Sequence, residues 1–200
     1  MHCRSTVAIL QGIACTTAVH EVFAFAPSRC SHGNRSAISG AYNPGVNTQP
    51  PLPGTVEEIR AAATARGRQL GLPYAGALLP REAYALMQAG VRLVDVRTRA
   101  ELYWVGQVPG SLFVEWSSYP SGQVNANFLE ELAAVASRND PVMFLCRSGN
   151  RSHYAAMLAT QAGWRECYNV LEGFEGDRDA SEHRASINGW KVAGLPWAQS

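Results

Sequence analysis

Six consecutive residues, Cys146-Arg-Ser-Gly-Asn-Arg151, bring together a nucleophilic thiol, two guanidiniums, two short hydrogen-bonding side chains and a glycine. Directly before them, Pro141-Val-Met-Phe-Leu145 has the length and apolar content of a buried strand. Directly after them a helical pattern runs from about Ser152 to Ala162, with Tyr154, Leu158 and Ala162 on one side and Gly163 as its stop. A loop between the carboxyl end of a strand and a helix N-terminus is suited to anions, because unpaired N–H groups and about half a positive charge face it. Gly149 lets that loop curl so that successive amides converge on one spot. Cys146 faces this nest, Arg147 and Arg151 add charge of the same sign, and the ionised thiol is favoured. The chemistry expected is nucleophilic attack by sulfur, with backbone N–H groups holding the negative charge.

A cysteine that follows a buried strand is most often a small core residue. A core cysteine does not need two arginines, a glycine and the serines Ser148 and Ser152 crowded behind it, so a reactive thiolate is the better reading. Other chemistries fare worse. Lysine occurs once, at Lys191, against 16 arginines, which disfavours Schiff-base and P-loop enzymes. The cysteines, Cys3, Cys15, Cys30, Cys146 and Cys167, form no C-x-x-C and no close cluster with histidine. Zinc ribbons, thioredoxin-type motifs and a disulfide scaffold are therefore excluded, and no metal or cofactor is expected. A net charge of +1 offers no broad field for nucleic acid or an acidic membrane.

The elements that must position the loop follow from pattern. Thr55-Val-Glu-Glu58 is a capping box and predicts a helix over about 56–66. Pro80 opens a second helix that Gly90 closes. Arg92-Leu-Val-Asp-Val96 and Leu112-Phe-Val114 read as short strands, Asn127 with Glu130 as another capping box, and Glu166 to Leu171 as a last strand. Strands alternating with helices predict an α/β domain with a parallel sheet covered on both faces. Of the 33 charged residues only Arg4, Glu21, Arg29 and Arg35 fall in the first 54 positions. The expected division is a low-charge, disordered extension over 1–54 and one domain over 55–200. Val7 to Val19 and Ala24-Phe25-Ala26 suggest a cleavable leader as the alternative, and the run is too short to span a bilayer.

These segments resemble a rhodanese, a single-domain sulfurtransferase, from Leu79 to Trp197. Leu93-Val-Asp-Val-Arg97 is similar to the family's first signature, and Glu101 with Gly106-Gln-Val-Pro-Gly-Ser111 to its G-H-I-P-G-A segment. Cys146 to Ser152 resembles the active-site loop, Asn169-Val-Leu-Glu-Gly173 the segment after the next strand, and Trp190-Lys-Val-Ala-Gly-Leu-Pro196 the closing W-x-x-A-G-L-P. The resemblance implies a parallel sheet of about five strands with helices on both faces. It implies that Cys146 takes sulfane sulfur from thiosulfate or a similar donor as a persulfide and passes it to cyanide or a thiol. Arg147, Ser148, Gly149, Asn150, Arg151 and Ser152 would bind substrate, with Arg151 alternatively tying the loop to neighbouring carboxylates. Asp95, Arg97 and Glu101 would support the loop, with Arg97 near Glu101.

His153 reads as a solvated helix residue, Cys167 as inert, and Tyr103-Trp104, Trp190 and Trp197 as packing residues. Gln107 replaces the family's usual histidine. Phe174 to Gly189 is an insertion beside the active-site face, read as neutral or as shaping acceptor choice. The partners expected are small molecules, with no nucleic acid and no membrane, in the cytoplasm or, given a leader, in the periplasm or outside. Two alternatives remain: a non-catalytic interaction or regulatory module, and a Cys-dependent phosphatase, whose loop needs one residue more before its arginine.

Overall fold

Alternation along one strand organises the domain. In β4 (Val142–Leu145) every residue is buried, with Val142 and Phe144 in one apolar cluster and Met143 and Leu145 in another. Successive side chains of a strand point to opposite faces, so a run of four apolar residues belongs in the middle of a sheet covered on both sides. In the computed structural model β4 is the central strand of a five-stranded, all-parallel sheet. The structure describes residues 54–199, and the expected extension or leader over 1–53 lies outside the described residues.

The elements run α1 (Val56–Gln69), β1 (Gly76–Leu78), α2 (Pro80–Gln88), β2 (Arg92–Asp95), α3 (Arg99–Val105), β3 (Leu112–Phe113), α4 (Phe128–Val135), β4, α5 (Asn150–Gln161) and β5 (Cys167–Val170). The strand order is β1-β5-β4-β2-β3, with Leu93 opposite Met143 and Val142 opposite Cys167. One face is covered by Ile59 and Ala63 of α1 and Ala83 and Leu86 of α2. The other is covered by Phe128 and Leu132 of α4 and Ala155, Ala156 and Ala159 of α5. Each large apolar side chain removed from water contributes roughly 1.5–3 kcal/mol before chain entropy is counted. Arg66 ties α1 to α2 through two hydrogen bonds to Glu82, at 2.8 and 2.9 Å.

The Thr55–Glu58 capping box forms, and α1 runs three residues beyond the expected 66. The Asn127 box does not form, because Asn127 makes no side-chain cap. Its N–H instead donates to the side chain of Asn125, at 2.9 Å, which closes a turn before α4. β1 and α3 were not read from pattern. The helix after Cys146 begins at Asn150 rather than about Ser152, which shortens the loop. Among the described residues no helix is long and apolar enough to cross a membrane.

Candidate active site

Cys146 continues the alternation of β4 and belongs to the cluster on the α5 face. It is 1% exposed, so its sulfur forms the floor of a cleft rather than its rim. The chain then turns through Gly149, whose φ of 88° is a left-handed conformation that a side chain disfavours. Gly149 is the N-cap of α5. This geometry aims two donors at the thiol. The Gly149 N–H and the Ser152 hydroxyl each lie 3.2 Å from Cys146 Sγ. Donors held in place by the backbone stabilise negative charge on that sulfur without reorganising during a reaction.

The loop is clamped from behind. The Phe174 N–H donates to the Cys146 carbonyl at 2.8 Å, and the Glu175 N–H to the Arg147 carbonyl at 2.9 Å. Gly173 has φ 63°, and a Cβ there would overlap the Cys146 carbonyl oxygen. Asn169, on β5, donates to the Gly149 carbonyl at 3.0 Å. The loop's shape is therefore imposed by contacts from β5 and from the segment that follows it.

Glu101 reaches the loop from α3. It closes the helix's own capping box with Thr98 and accepts two hydrogen bonds from Arg151, at 2.7 and 2.6 Å. Burial alone would raise its carboxyl, but the hydrogen bonds and charge of Arg151 together with Thr98 bring it down to about 2. Burial opposes the charge on Arg151, and Glu101 more than restores it, so the guanidinium is held charged. Arg97, expected near Glu101, pairs with Asp95. It is fully buried against Asp95, with Nη2 2.6 Å from Oδ2, and donates to the Gly106 carbonyl at 2.8 Å. Its guanidinium lies 4.0 Å from the centroid of the Phe174 ring. The Asp95–Arg97 pair is thus linked to the loop through Phe174, whose N–H bonds the Cys146 carbonyl.

Above the sulfur is a cavity of about 480 Å³ whose wall includes Arg147, Ser148, Asn150, Arg151 and Arg184. A second cavity of about 510 Å³ adjoins it, sharing Ser117, Gly122, Arg147 and Arg151, and carries Trp104 and Tyr119 on its wall. Volumes of this size accommodate a small organic ligand. Tyr103 and Trp104 pack edge to face on each other, with ring centroids 4.7 Å apart, yet are 57% and 70% exposed, whereas Trp190 is fully buried. Tyr154, Trp116 and Arg184 also reach the Cys146 cavity without having been anticipated.

His153 does not line either cavity. Its Nδ1 lies 2.6 Å from the Tyr74 hydroxyl. Cys167 is buried on β5, and burial pushes its thiol up to about 11. Gln107 pairs its backbone with Ala198, through N···O distances of 2.7 and 2.9 Å, and so anchors the C-terminal segment.

The model of the family described as "Rhodanese-like domain" matches residues 79–180. An uncharacterized RP600 homolog from Rickettsia rickettsii is 38% identical over 115 residues, covering 52% of this chain and 80% of that protein. The thiosulfate sulfurtransferase GlpE of Pseudomonas savastanoi is 30% identical over 96 residues, covering 48% of this chain and 80% of that protein. The crystal structure of Rv0390 from M. tuberculosis has a TM-score of 0.59 and 45% identity, covering 64% of this chain and 99% of that one. The parallel sheet, the cysteine loop at its carboxyl edge and these likenesses agree, and the chain belongs to the rhodanese-like domain family.

Proposed function

We propose that the domain is a sulfurtransferase that moves sulfane sulfur through a persulfide on Cys146. The observation that carries this is the pair of donors, Gly149 N–H and Ser152 Oγ, aimed at Cys146 Sγ below a cavity walled by arginines. In the first half-reaction the thiolate attacks the outer sulfur of a donor such as thiosulfate. The Sγ–S bond forms, the donor's S–S bond breaks, and sulfite leaves with the electron pair. In the second, cyanide or a thiolate attacks the terminal sulfur and the Cys146 thiolate departs. Arg147 favours approach of an anion, Arg151 is tied to Glu101, and the two donors stabilise charge on sulfur in both steps. The thiosulfate sulfurtransferases among the relatives support this reading at about the level of family likeness. No base is required, which agrees with His153 lying away from the cavity.

The loop also favours sulfur over phosphate. Four residues separate Cys146 from Arg151, one fewer than the loop with which Cys-dependent phosphatases hold a tetrahedral phosphate, and α5 already starts at Asn150. The test is to incubate the whole protein with thiosulfate and measure its mass. Gain of one sulfur atom on Cys146, removed by cyanide, is the expected result. No adduct with thiosulfate, mercaptopyruvate or polysulfide would reject the transferase and leave a binding module. Cys146-dependent hydrolysis of a phosphate ester would favour the phosphatase instead.

A further inference from the structure

The inserted segment after Gly173 is knitted together rather than loose. Asp179 accepts hydrogen bonds from the N–H groups of Ser181 and His183, at 2.8 and 2.9 Å, and from the Ser186 hydroxyl at 2.8 Å. Asn188 bridges back to Asp177 through both its amide oxygen and nitrogen, and the Ala185 N–H returns to the Glu175 carbonyl at 2.7 Å. Glu182 and Ala185 adopt left-handed conformations, φ 63° and 58°, on either side of Arg184. The base of this turn is bonded to the Arg147 carbonyl through the N–H groups of Glu175 and Gly176. Its tip returns Arg184, which donates to the Gly176 carbonyl and lines the Cys146 cavity.

The charge around that cavity is one-sided. Its wall holds Arg147, Arg151 and Arg184 and no carboxylate. Arg151 is neutralised by Glu101. Among the described residues neither Arg147 nor Arg184 makes an ion pair within 4.0 Å, so the cavity wall carries two arginines whose charge no carboxylate pairs. Guanidiniums present paired donors to planar or tetrahedral oxyanions, and two of them match a doubly charged group better than a singly charged one.

We infer that Arg184, delivered by the insertion, acts with Arg147 to select dianionic sulfur donors of the thiosulfate type over singly charged donors. The inference rests on the sulfur-transfer reading and assigns to Arg184 the choice among its donors. A dianionic donor places its oxygens between the two guanidiniums while its outer sulfur descends to Cys146. The leaving sulfite retains both charges, so the same pair holds the leaving group as the S–S bond breaks. A monoanion such as benzenethiosulfonate undergoes the same exchange, losing benzenesulfinate, but needs one cation fewer.

The test compares thiosulfate and benzenethiosulfonate as donors to cyanide, following thiocyanate, in the full chain. Arg184→Gln keeps a donor for the Gly176 carbonyl while removing the charge, and Arg184→Ala removes both. The expected result is a fall in kcat/KM for thiosulfate of about tenfold, as loss of a charged hydrogen bond implies, and clearly less for benzenethiosulfonate. Arg178→Ala, on the same insertion but outside the cavity and paired with Glu182, leaves both donors unaffected. An equal change for both donors in the Arg184 variants, or none, would overturn the inference. So would a wild-type adduct formed from benzenethiosulfonate but not from thiosulfate, with sulfur transfer itself intact. Failure of every donor to modify wild-type Cys146 would instead remove the sulfur-transfer reading, and this inference with it.

Discussion

Arg151 and Glu101, fifty residues apart in the chain, meet through two parallel hydrogen bonds of 2.7 and 2.6 Å. Glu101 at the same time completes the capping box of α3 with Thr98, so one carboxylate joins that helix to the first turn of α5. Its carboxyl is held at about 2, against an ordinary value of 4.5. A carboxyl lowered on folding stabilises the protein above its unfolded value and loses that contribution as pH falls towards the folded one. The wild-type advantage over Glu101→Gln, of order 3 kcal/mol at neutral pH, should therefore shrink between about pH 4.5 and pH 2. Urea unfolding of both proteins across that range checks it, and a constant difference would contradict it.

Replacing Cys146 by Ser should abolish the sulfur adduct and thiocyanate formation while leaving the fold intact, since the side chain is nearly isosteric. Mass measurement after thiosulfate treatment gives the readout. Cys167, fully buried with its thiol raised to about 11, should carry no adduct in either protein. Sulfur found on Cys167 would oppose its reading as inert.

Ser152 donates to Sγ from a fully buried position. Ser152→Ala should slow sulfite release in the first half-reaction by roughly tenfold, as expected for one donor to a developing anion, with little change in the thermal midpoint. Single-turnover kinetics measures this directly, and an unchanged rate would leave Gly149 N–H as the effective donor.

Gly173→Ala should cost about 2 kcal/mol or more, because the new methyl would overlap the Cys146 carbonyl in a left-handed turn. The same displacement moves Sγ, so activity should fall further than the folded fraction explains. Chemical denaturation together with activity per folded molecule separates the two effects.

Asp95→Ala leaves Arg97 fully buried without its counter-ion and should destabilise by about 3–5 kcal/mol. Replacing both residues by apolar side chains of similar volume should recover much of that loss in stability. Recovery of activity should be poorer, because the Arg97 guanidinium also packs on Phe174, whose N–H holds the Cys146 carbonyl. Urea midpoints and turnover of the single and double variants test this.

The sequence by itself determined the parts whose physics is local. Thr55 and Glu58 cap a helix three residues on, Pro80 starts another, and the apolar run before Cys146 sets a central strand. The cysteine loop was legible for the same reason, since its nucleophile, glycine and arginines are contiguous and the helix dipole follows directly. α3 carries a comparable signal in the Thr98–Glu101 capping box, but at seven residues it is too short for an apolar stripe to show its helix. β1 has no such signal, since Gly76-Ala-Leu78 becomes a strand only by pairing with β5. The Asn127 box failed because Asn125 captured the backbone group that the cap requires.

Tertiary structure decided which charges meet. Arg97 and Arg151 are alike in sequence terms, yet one is sealed against Asp95 and the other reaches Glu101 across the site. The choice depends on burial and on which helix ends converge at the sheet's carboxyl edge. Folding likewise brought Arg184, 38 residues after Cys146, to the wall of its cavity. Capping and strand patterns act over a few residues, whereas a pocket's charge is the sum of distant segments that only packing brings together.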